Sequence, residues 1–283
     1  NTRREANVQG NTLDLGEFLV EAESGAARWR LGHQQLPYDS LIHSAFLRRG
    51  LSARLALGAG SLSGFALRSE PLVGAQDLLG PARSRERVAG VVFERELLAE
   101  GGTGLAVTAG LVGGEGNDLQ GASDPVALAN APLHSGTAWS LAGSGSLWNG
   151  QLRARAELAG SRYDWDAGGQ SPLPSGRESD GAHAFSVDWQ PTAAADGAAW
   201  GIGFDHQNVG TFFRSVAHVG LPADKVMNRL RLNWRQGEWL AAATWTQQDT
   251  NANDLPDLPR IAARQADALL SWTPAPAEQR AWY

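Results

Sequence analysis

The chain of 283 residues contains 34 glycines and no cysteine, 19% of its residues are charged, and its formal net charge is −6. This composition excludes disulfides, thiolate zinc sites and cysteine nucleophiles, and the acidic balance argues against a nucleic-acid partner, which needs a basic patch. The chain is too apolar to be disordered and too rich in glycine to be helical, which favours a β protein with many turns. It has no run of about 18 apolar residues, as a transmembrane helix requires, but a barrel strand needs only about 9–11 residues.

Period-two alternation of apolar and polar residues recurs along the whole sequence. In chain order, the clearest segments cover residues 27–31, 51–57, 152–160, 200–205 and 229–234. Alternate side chains of a strand point to opposite faces of the sheet, so each segment predicts a β-strand with one apolar and one polar face. In the third segment the apolar face consists of Leu152, Ala154, Ala156, Leu158 and Gly160.

The connections between these segments alternate in length. Short turns are predicted at 24–25, 58–60, 101–103, 148–150 and 236–237, with longer turns at 191–197 and 273–278. Long polar loops are predicted at 33–49, 69–86, 113–135, 161–180, 208–225 and 248–261. The strongest turn signal is Asn149-Gly150, because a type I′ hairpin needs positive φ at both central residues. Short turns at one end and long loops at the other are typical of bacterial outer-membrane barrels.

Tryptophans cluster near the short turns. Six of the eleven lie in or beside one of them: Trp148, Trp189, Trp200, Trp234, Trp239 and Trp272. Aromatic rings collect at membrane interfaces, where one edge of the ring is in contact with lipid and the other with water. These six residues therefore predict an aromatic girdle at the short-turn end.

Three segments carry a family resemblance: GQLRARAELAGSRYDWD, AAWGIGFDHQNVGTFFRS and NRLRLNWRQGEWLAAATWTQ. They resemble the hairpins of Gram-negative outer-membrane β-barrel proteins, and the likeness covers most of the chain. It implies an all-β, antiparallel up-and-down transmembrane barrel in the outer membrane, with the lipid bilayer and its lipopolysaccharide as partners and a transport or surface role. Periplasmic or surface proteins are further possible partners. It implies no cofactor and no catalytic residue.

At roughly 20–23 residues for a strand and its connection, the chain has room for about 12–14 strands, which is within the bacterial range. We expect residues 1–283 to form a single barrel domain that is incomplete at one or both ends, because Trp282-Tyr283 begins a new strand. A soluble β-sandwich or solenoid is the alternative, since such folds also alternate and also use glycine turns.

Charged residues occupy the polar faces of the predicted strands. The candidates for lining a lumen are Arg28, Arg30, Arg54, Arg153, Arg155, Glu157, Asp188, Asp205, Arg229, Arg231 and Arg235. If these faces enclose water, their excess of arginine favours anionic solutes. The alternative, to which we give more weight, is a ladder of arginines and carboxylates that stiffens the wall or holds a plug.

Asp249, Asn251 and Asn253 imitate the first ligands of a calcium loop, in which oxygens at alternate positions converge on one ion. The pattern then fails, because Asp254 replaces the required glycine and Arg260 the bidentate glutamate. A solvated loop is the favoured interpretation, and no metal site is predicted.

Two functions remain open from the sequence, with an outer-membrane enzyme as a third and weaker option. The first is a conduit across the outer membrane, porin-like or an export channel. The second is a surface scaffold or adhesion barrel whose long loops bind a partner. The sequence predicts no enzyme.

Overall fold

The computed structural model describes residues 16–36, 39–44, 47–69, 79, 86–116, 133–169, 176–194, 197–218 and 220–274. Within them, thirteen strands form one sheet whose spatial order follows the chain. The strands are β1 Leu19–Ser24, β2 Ala27–Gln35, β3 Leu47–Leu57, β4 Gly60–Arg68, β5 Arg87–Glu100, β6 Thr103–Gly116, β7 His134–Leu147, β8 Leu152–Asp164, β9 Arg177–Trp189, β10 Ala199–Val209, β11 Lys225–Gln236, β12 Trp239–Asp249 and β13 Ala262–Trp272. No helix among the described residues is long and apolar enough to cross a membrane.

Every strand pairs antiparallel with its neighbours in the chain, which is an up-and-down meander. The predicted fold class is thus confirmed, and thirteen strands agree with the expected 12–14. In the described residues β1 and β13 are the two edges of the sheet. Twelve reversals separate them, so these two strands run in the same direction.

The connections alternate in length as the sequence predicts. Short turns join β1 to β2, β3 to β4, β5 to β6, β7 to β8 and β11 to β12. At the β7–β8 turn, φ is 56° at Asn149 and 79° at Gly150, the positive values that this dipeptide predicts. All short turns lie at one end of the sheet, which we name the short-turn end, together with the longer β9–β10 turn at residues 190–198. The other long connections lie at the opposite end, the long-loop end.

Several strands extend further toward the long-loop end than predicted. The loops were expected from residues 33, 113 and 161, but β2 continues to Gln35, β6 to Gly116 and β8 to Asp164. Ladder hydrogen bonds involve only backbone groups, so polar residues and glycines continue a strand once the neighbouring strand fixes the register. The apolar–polar alternation of the sequence therefore ends before the ladder of backbone hydrogen bonds does.

The register assigns each side chain to one of two faces. We define the inner face as the one that carries Glu157 and the outer face as its opposite. The outer face is apolar and exposed: Leu111 pairs with Trp139 and Leu141 with Leu158, and all four are more than half exposed. An exposed apolar band on a continuous antiparallel sheet is typical of the lipid-facing surface of transmembrane barrels.

The buried core lies on the inner face near the long-loop end. It combines strand residues with residues of two loop segments: Phe65, Leu67, Val88, Val92, Val112, Ala138, Ala159, Tyr163, Ala182 and Val209 from the strands, and Leu36, Leu41, Ile42, Phe213, Val216 and Ala217 from the loops. We name residues 39–44 of the β2–β3 loop the first inward segment and residues 210–218 of the β10–β11 loop the second inward segment. The core is therefore formed between the wall and loops folded over its inner face.

Candidate functional site

A buried carboxylate on β8 anchors the first inward segment to the wall. Glu157 is only 4% exposed, and its Oε1 accepts a hydrogen bond of 2.9 Å from the backbone N–H of Leu41. Arg155, on the same face, donates to Glu157 Oε2 at 3.0 Å and to the carbonyl oxygen of Asp39 at 3.0 Å. Hydrogen bonds to a charged group are stronger than neutral ones, so this pair fixes the segment across the inner face.

The second inward segment packs directly on the first. The Ser215 hydroxyl donates to the carbonyl oxygen of Ile42 at 2.6 Å, and the Ser44 N–H donates to the carbonyl oxygen of Ala217 at 3.1 Å. The Nδ1–H of His218 donates to the carbonyl oxygen of Ser40 at 2.7 Å. The two segments thus form one unit, although they are about 170 residues apart in sequence (173 between Ser215 and Ile42).

The second segment also contacts the wall itself. The N–H of Arg214 donates to Ser161 Oγ at 3.2 Å, and the N–H of Phe212 donates to Asp180 Oδ2 at 2.9 Å. The Arg214 guanidinium lies 5.2 Å from the centre of the Trp165 ring, a cation–π contact. Between them, the Phe213 side chain is 1% exposed and belongs to the core.

Two titratable groups of the second loop are shifted. Burial lowers the pKa of His218 below its ordinary 6.5, although its bond to Ser40 and the nearby Asp39 and Glu157 act in the opposite direction. Burial on its own would raise the pKa of Asp224, but hydrogen bonds from Asn251, Thr211 and Ala252 lower it overall. His218 is therefore held in its neutral form and Asp224 in its ionised form.

Toward the short-turn end the inner face is polar and open. Two cavities of about 510 and 350 Å³ adjoin there and share Arg155 and Ser186 in their linings. The upper cavity begins at Asp39 of the first inward segment, and the lower one reaches Ser146, close to the β7–β8 turn. Together they form a continuous trough, which we name the polar trench.

The eleven predicted lumen residues all lie on the inner face according to the strand register. Eight of them form ion pairs, which include carboxylates that sequence reasoning did not select: Arg28–Glu23, Arg30–Glu21, Arg54–Glu94, Arg155–Glu157, Arg231–Asp188 and Arg231–Asp205. Most of the predicted excess of positive charge is therefore balanced across strands. This arrangement corresponds to the ladder alternative.

Three of the predicted arginines have no ion pair with any described residue: Arg153, Arg229 and Arg235. Arg153 lines the lower part of the polar trench and Arg229 the upper part. The contact found for the Arg229 guanidinium is the Met227 sulfur at 3.8 Å. That these side chains line a water-filled lumen stays a prediction.

Five of the six predicted girdle tryptophans lie on the outer face next to short turns. Trp200 pairs with Trp234, Trp239 pairs with Trp272, and the Trp189 ring stands edge-on to Trp200 at 4.7 Å. The sixth, Trp148, lies within the β7–β8 turn and is exposed. The rings are thus brought to one height, and their contact with a membrane interface stays a prediction.

Sequence reasoning missed the two inward segments. The residues that join them, such as Ser40, Ile42, Ser215 and His218, lie in stretches predicted only as long polar loops. The available signal was the two apolar pairs Phe212-Phe213 and Val216-Ala217, which are unusual in a loop exposed to water.

The side chains of the weak calcium pattern bind protein groups instead. Asp249 accepts a hydrogen bond from Gln247 at 3.1 Å, Asn251 Oδ1 accepts one from the N–H of Leu255 at 2.7 Å, and Asn253 Nδ2 donates to Asp180 at 2.8 Å. Their polar atoms organise the β12–β13 loop and tie it to β9. In the described part of the chain, no three His, Cys, Asp or Glu side chains group as metal ligands do.

No family model and no curated protein matches this chain. Among solved structures, it is similar to the outer membrane protein OpdK from Pseudomonas aeruginosa, with a TM-score of 0.44 and 10% sequence identity over 90% of this chain and 75% of that one. The fold is established by the strand order, the two faces and the alternating connections described above. It is an antiparallel up-and-down sheet with one apolar and one polar face.

Proposed function

We propose that this chain forms the wall of an outer-membrane conduit for small hydrophilic solutes, narrowed at the long-loop end by the two inward segments. The observation that carries the proposal is the polar trench, which continues from the first inward segment to the short-turn end. A barrel used only as an anchor has no need for a hydrated inner face over that length. Apolar side chains packed across the interior would serve it better.

The balance of charge supports a conduit with weak selectivity. Paired charges, such as Arg231 with Asp188 and Asp205, keep the wall hydrated and ordered without creating a strong field. The arginines without an ion pair, Arg153, Arg229 and Arg235, leave a local positive excess in the trench. We therefore expect a modest preference for anions.

The inward segments give the conduit its narrowest part. They rest on Glu157, Ser161 and Asp180 of the wall, and their apolar residues are buried among β4 to β10. A solute that enters from the long-loop end must pass beside them. Their contacts therefore control both the width of the passage and the rate at which it opens.

A surface scaffold is the second candidate, because loops ordered by a core of their own can present a fixed binding surface. The two functions differ in a single measurement. A conduit gives reproducible unitary currents in a planar bilayer, whereas a scaffold gives none.

The test uses the complete protein in a planar bilayer with a salt gradient. We expect unitary currents and a reversal potential displaced toward anions, with the displacement reduced in the variant Arg153→Ala/Arg229→Ala. Arg95→Ala, which removes an arginine from the outer face, is the matched control and should leave the reversal potential unchanged. Absence of unitary current would refute the conduit in favour of the scaffold.

A further inference from the structure

A groove of about 540 Å³ lies on the outer face at the long-loop end, away from the polar trench. Its floor is a register row of small or polar side chains across four strands, formed by Ala89, Gly113, Thr137 and Arg162. Toward the short-turn end, the outer face of the same four strands carries large apolar residues such as Leu111, Trp139 and Leu158 among smaller ones, with Arg95 as a charged exception. The groove is therefore a polar recess at the edge of the apolar band, and we name it the outer groove.

Three guanidinium groups line the outer groove. Arg87 lies at its β5 side, and Arg162 and Arg177 lie at its β8–β9 side. Two carboxylates are also present, and one of them, Asp164, is paired with Arg177 at 3.3 Å. Arg87 and Arg162 have no ion pair with any described residue and are both exposed. The recess thus carries a net positive charge.

The strand geometry gives the height of the groove. Arg162 is ten positions beyond Leu152, the first residue of β8 at the short-turn end. At about 3.3 Å per residue and a tilt of about 40°, this separation is roughly 25 Å along the barrel axis. Since the apolar band of outer-membrane barrels is about 25 Å tall, Arg162 lies at its upper boundary. That boundary is where lipid headgroups lie.

Directly below the outer groove, the outer face is apolar again. Leu111 and Trp139 occupy the next row on the same face and are 54% and 52% exposed. The Trp139 ring lies against Gly160, where a Cβ atom would come within 2.7 Å of the indole nitrogen. An apolar surface thus lies beneath three guanidinium groups. This order of polarity matches that of an amphiphile with an anionic headgroup and apolar chains.

We propose that the outer groove binds the phosphorylated headgroup of an outer-leaflet glycolipid, the lipopolysaccharide of the surrounding membrane. Arg87 and Arg162 contact its phosphates, and its acyl chains lie along Leu111 and Trp139. Guanidinium groups form paired hydrogen bonds with phosphate oxygens, which accounts for arginine at both sides of the recess. The inference rests on the outer-membrane wall of the proposed function, with its long-loop end toward the cell exterior as in bacterial outer-membrane barrels, but not on conduction.

The test is native mass spectrometry of the full chain in detergent, titrated with bisphosphorylated lipid A. We expect one lipid to bind per chain, and binding to weaken roughly tenfold in Arg87→Ala/Arg162→Ala, because two exposed guanidinium–phosphate contacts are lost. Arg95→Ala is the matched control: Arg95 lies on the same strand and the same face as Arg87, but toward the short-turn end. It should keep wild-type affinity.

Three outcomes would overturn the proposal. The first is wild-type affinity in the double variant, and the second is an equal loss in Arg95→Ala. The third is equally tight binding of dephosphorylated lipid A. Inorganic phosphate is a further arm, and if it displaced the lipid at equal concentration, the site would be one for free phosphate instead of a lipid. Unitary currents measured on the same variants keep this result separate from the conduit, because the outer groove can fail while conduction persists.

Discussion

The two halves of the inner face are built from the same strands but differ in what they pack against. Near the long-loop end, Val112, Ala138 and Ala159 are buried beneath the inward segments. Toward the short-turn end, the same strands carry Arg153 and Arg155 into an open trench. The upper half is held by apolar packing and buried hydrogen bonds, and the lower half by exposed ion pairs. Apolar packing and exposed charge thus lie at different ends of one wall.

This contrast has a physical reason. Burial of apolar surface stabilises in proportion to area, whereas an ion pair open to water contributes little. The inward segments therefore need an apolar upper wall to stay in place. Ion pairs can order the side chains that line the polar trench without filling it, so the trench stays open to water.

The largest expected effect is in the upper half, at Phe213. Phe213→Ala removes a fully buried ring and should cost about 3–5 kcal/mol of the free energy that keeps the inward segments docked. Hydrogen exchange at the N–H groups of Leu41 and Ser44 would measure it as a loss of protection by two orders of magnitude or more. Phe185→Ala, on the exposed outer face, is the control. Similar losses in both variants would mean that the upper half has no core of its own.

The assignment of faces can be tested at neighbouring positions of β8. Ala156→Arg places a charge on the outer face, about midway up the apolar band, and should cost about 2–4 kcal/mol. Arg153→Ala, which removes an inner-face arginine of β8 that has no ion pair with any described residue, should be milder. The free energy of unfolding in lipid vesicles, followed by tryptophan fluorescence, compares them. Equal tolerance at both positions would show that the faces are assigned wrongly.

Glu157 contacts both halves of the inner face. Its carboxylate accepts hydrogen bonds from the N–H of Leu41 in the first inward segment and from Arg155, which lines the trench. Glu157→Gln removes the charge from both hydrogen bonds and should weaken docking of the first inward segment by about 1–3 kcal/mol. Single-channel recording should show longer and larger openings. Asp188→Asn, which affects an exposed pair in the trench, should change gating much less, and a matching change there would argue against a special role for Glu157.

The pH dependence of docking follows from His218. Its pKa is lowered in the folded state, so the folded protein binds fewer protons than the unfolded chain, and stability is lost as the pH falls below about 6.5 toward the lowered value. Acidification should therefore loosen the upper half and leave the ion pairs of the trench in place. The expected result is increased open probability at pH 5.5 relative to pH 7.5. His218→Gln, which retains a donor for Ser40, should remove most of that difference.

The smallest effect is expected in the lower half, at the ion pairs of Arg231. Its side chain is 41% exposed, so Arg231→Ala should cost at most about 1 kcal/mol, and less at high salt. Urea titration at low and high salt measures the difference. A cost as large as that of Phe213→Ala would show that the exposed ion pairs stabilise the lower half as strongly as apolar packing stabilises the upper half.

The sequence by itself determined the wall. Alternation at β8, β10 and β11, the Asn149-Gly150 turn and the alternating connection lengths predicted an up-and-down antiparallel sheet with the right faces and strand number. These features are local, because side-chain direction in a strand and the φ values of a turn depend on a few adjacent residues. The same reasoning placed Arg155 and Glu157 together on the inner face.

Only the tertiary structure decided what the inner face encloses. The contact of Ser215 with Ile42 joins residues far apart in sequence, and no period or motif encodes such a pairing. The carboxylates of Glu21, Glu23 and Glu94 can be paired with the arginines only once the strand register is known. The sequence alone therefore left both a positively charged lumen and a ladder of ion pairs open. The local alternation of apolar and polar residues determines the strands and their faces. The contact between distant loops instead depends on the apolar surface that they bury together against the sheet.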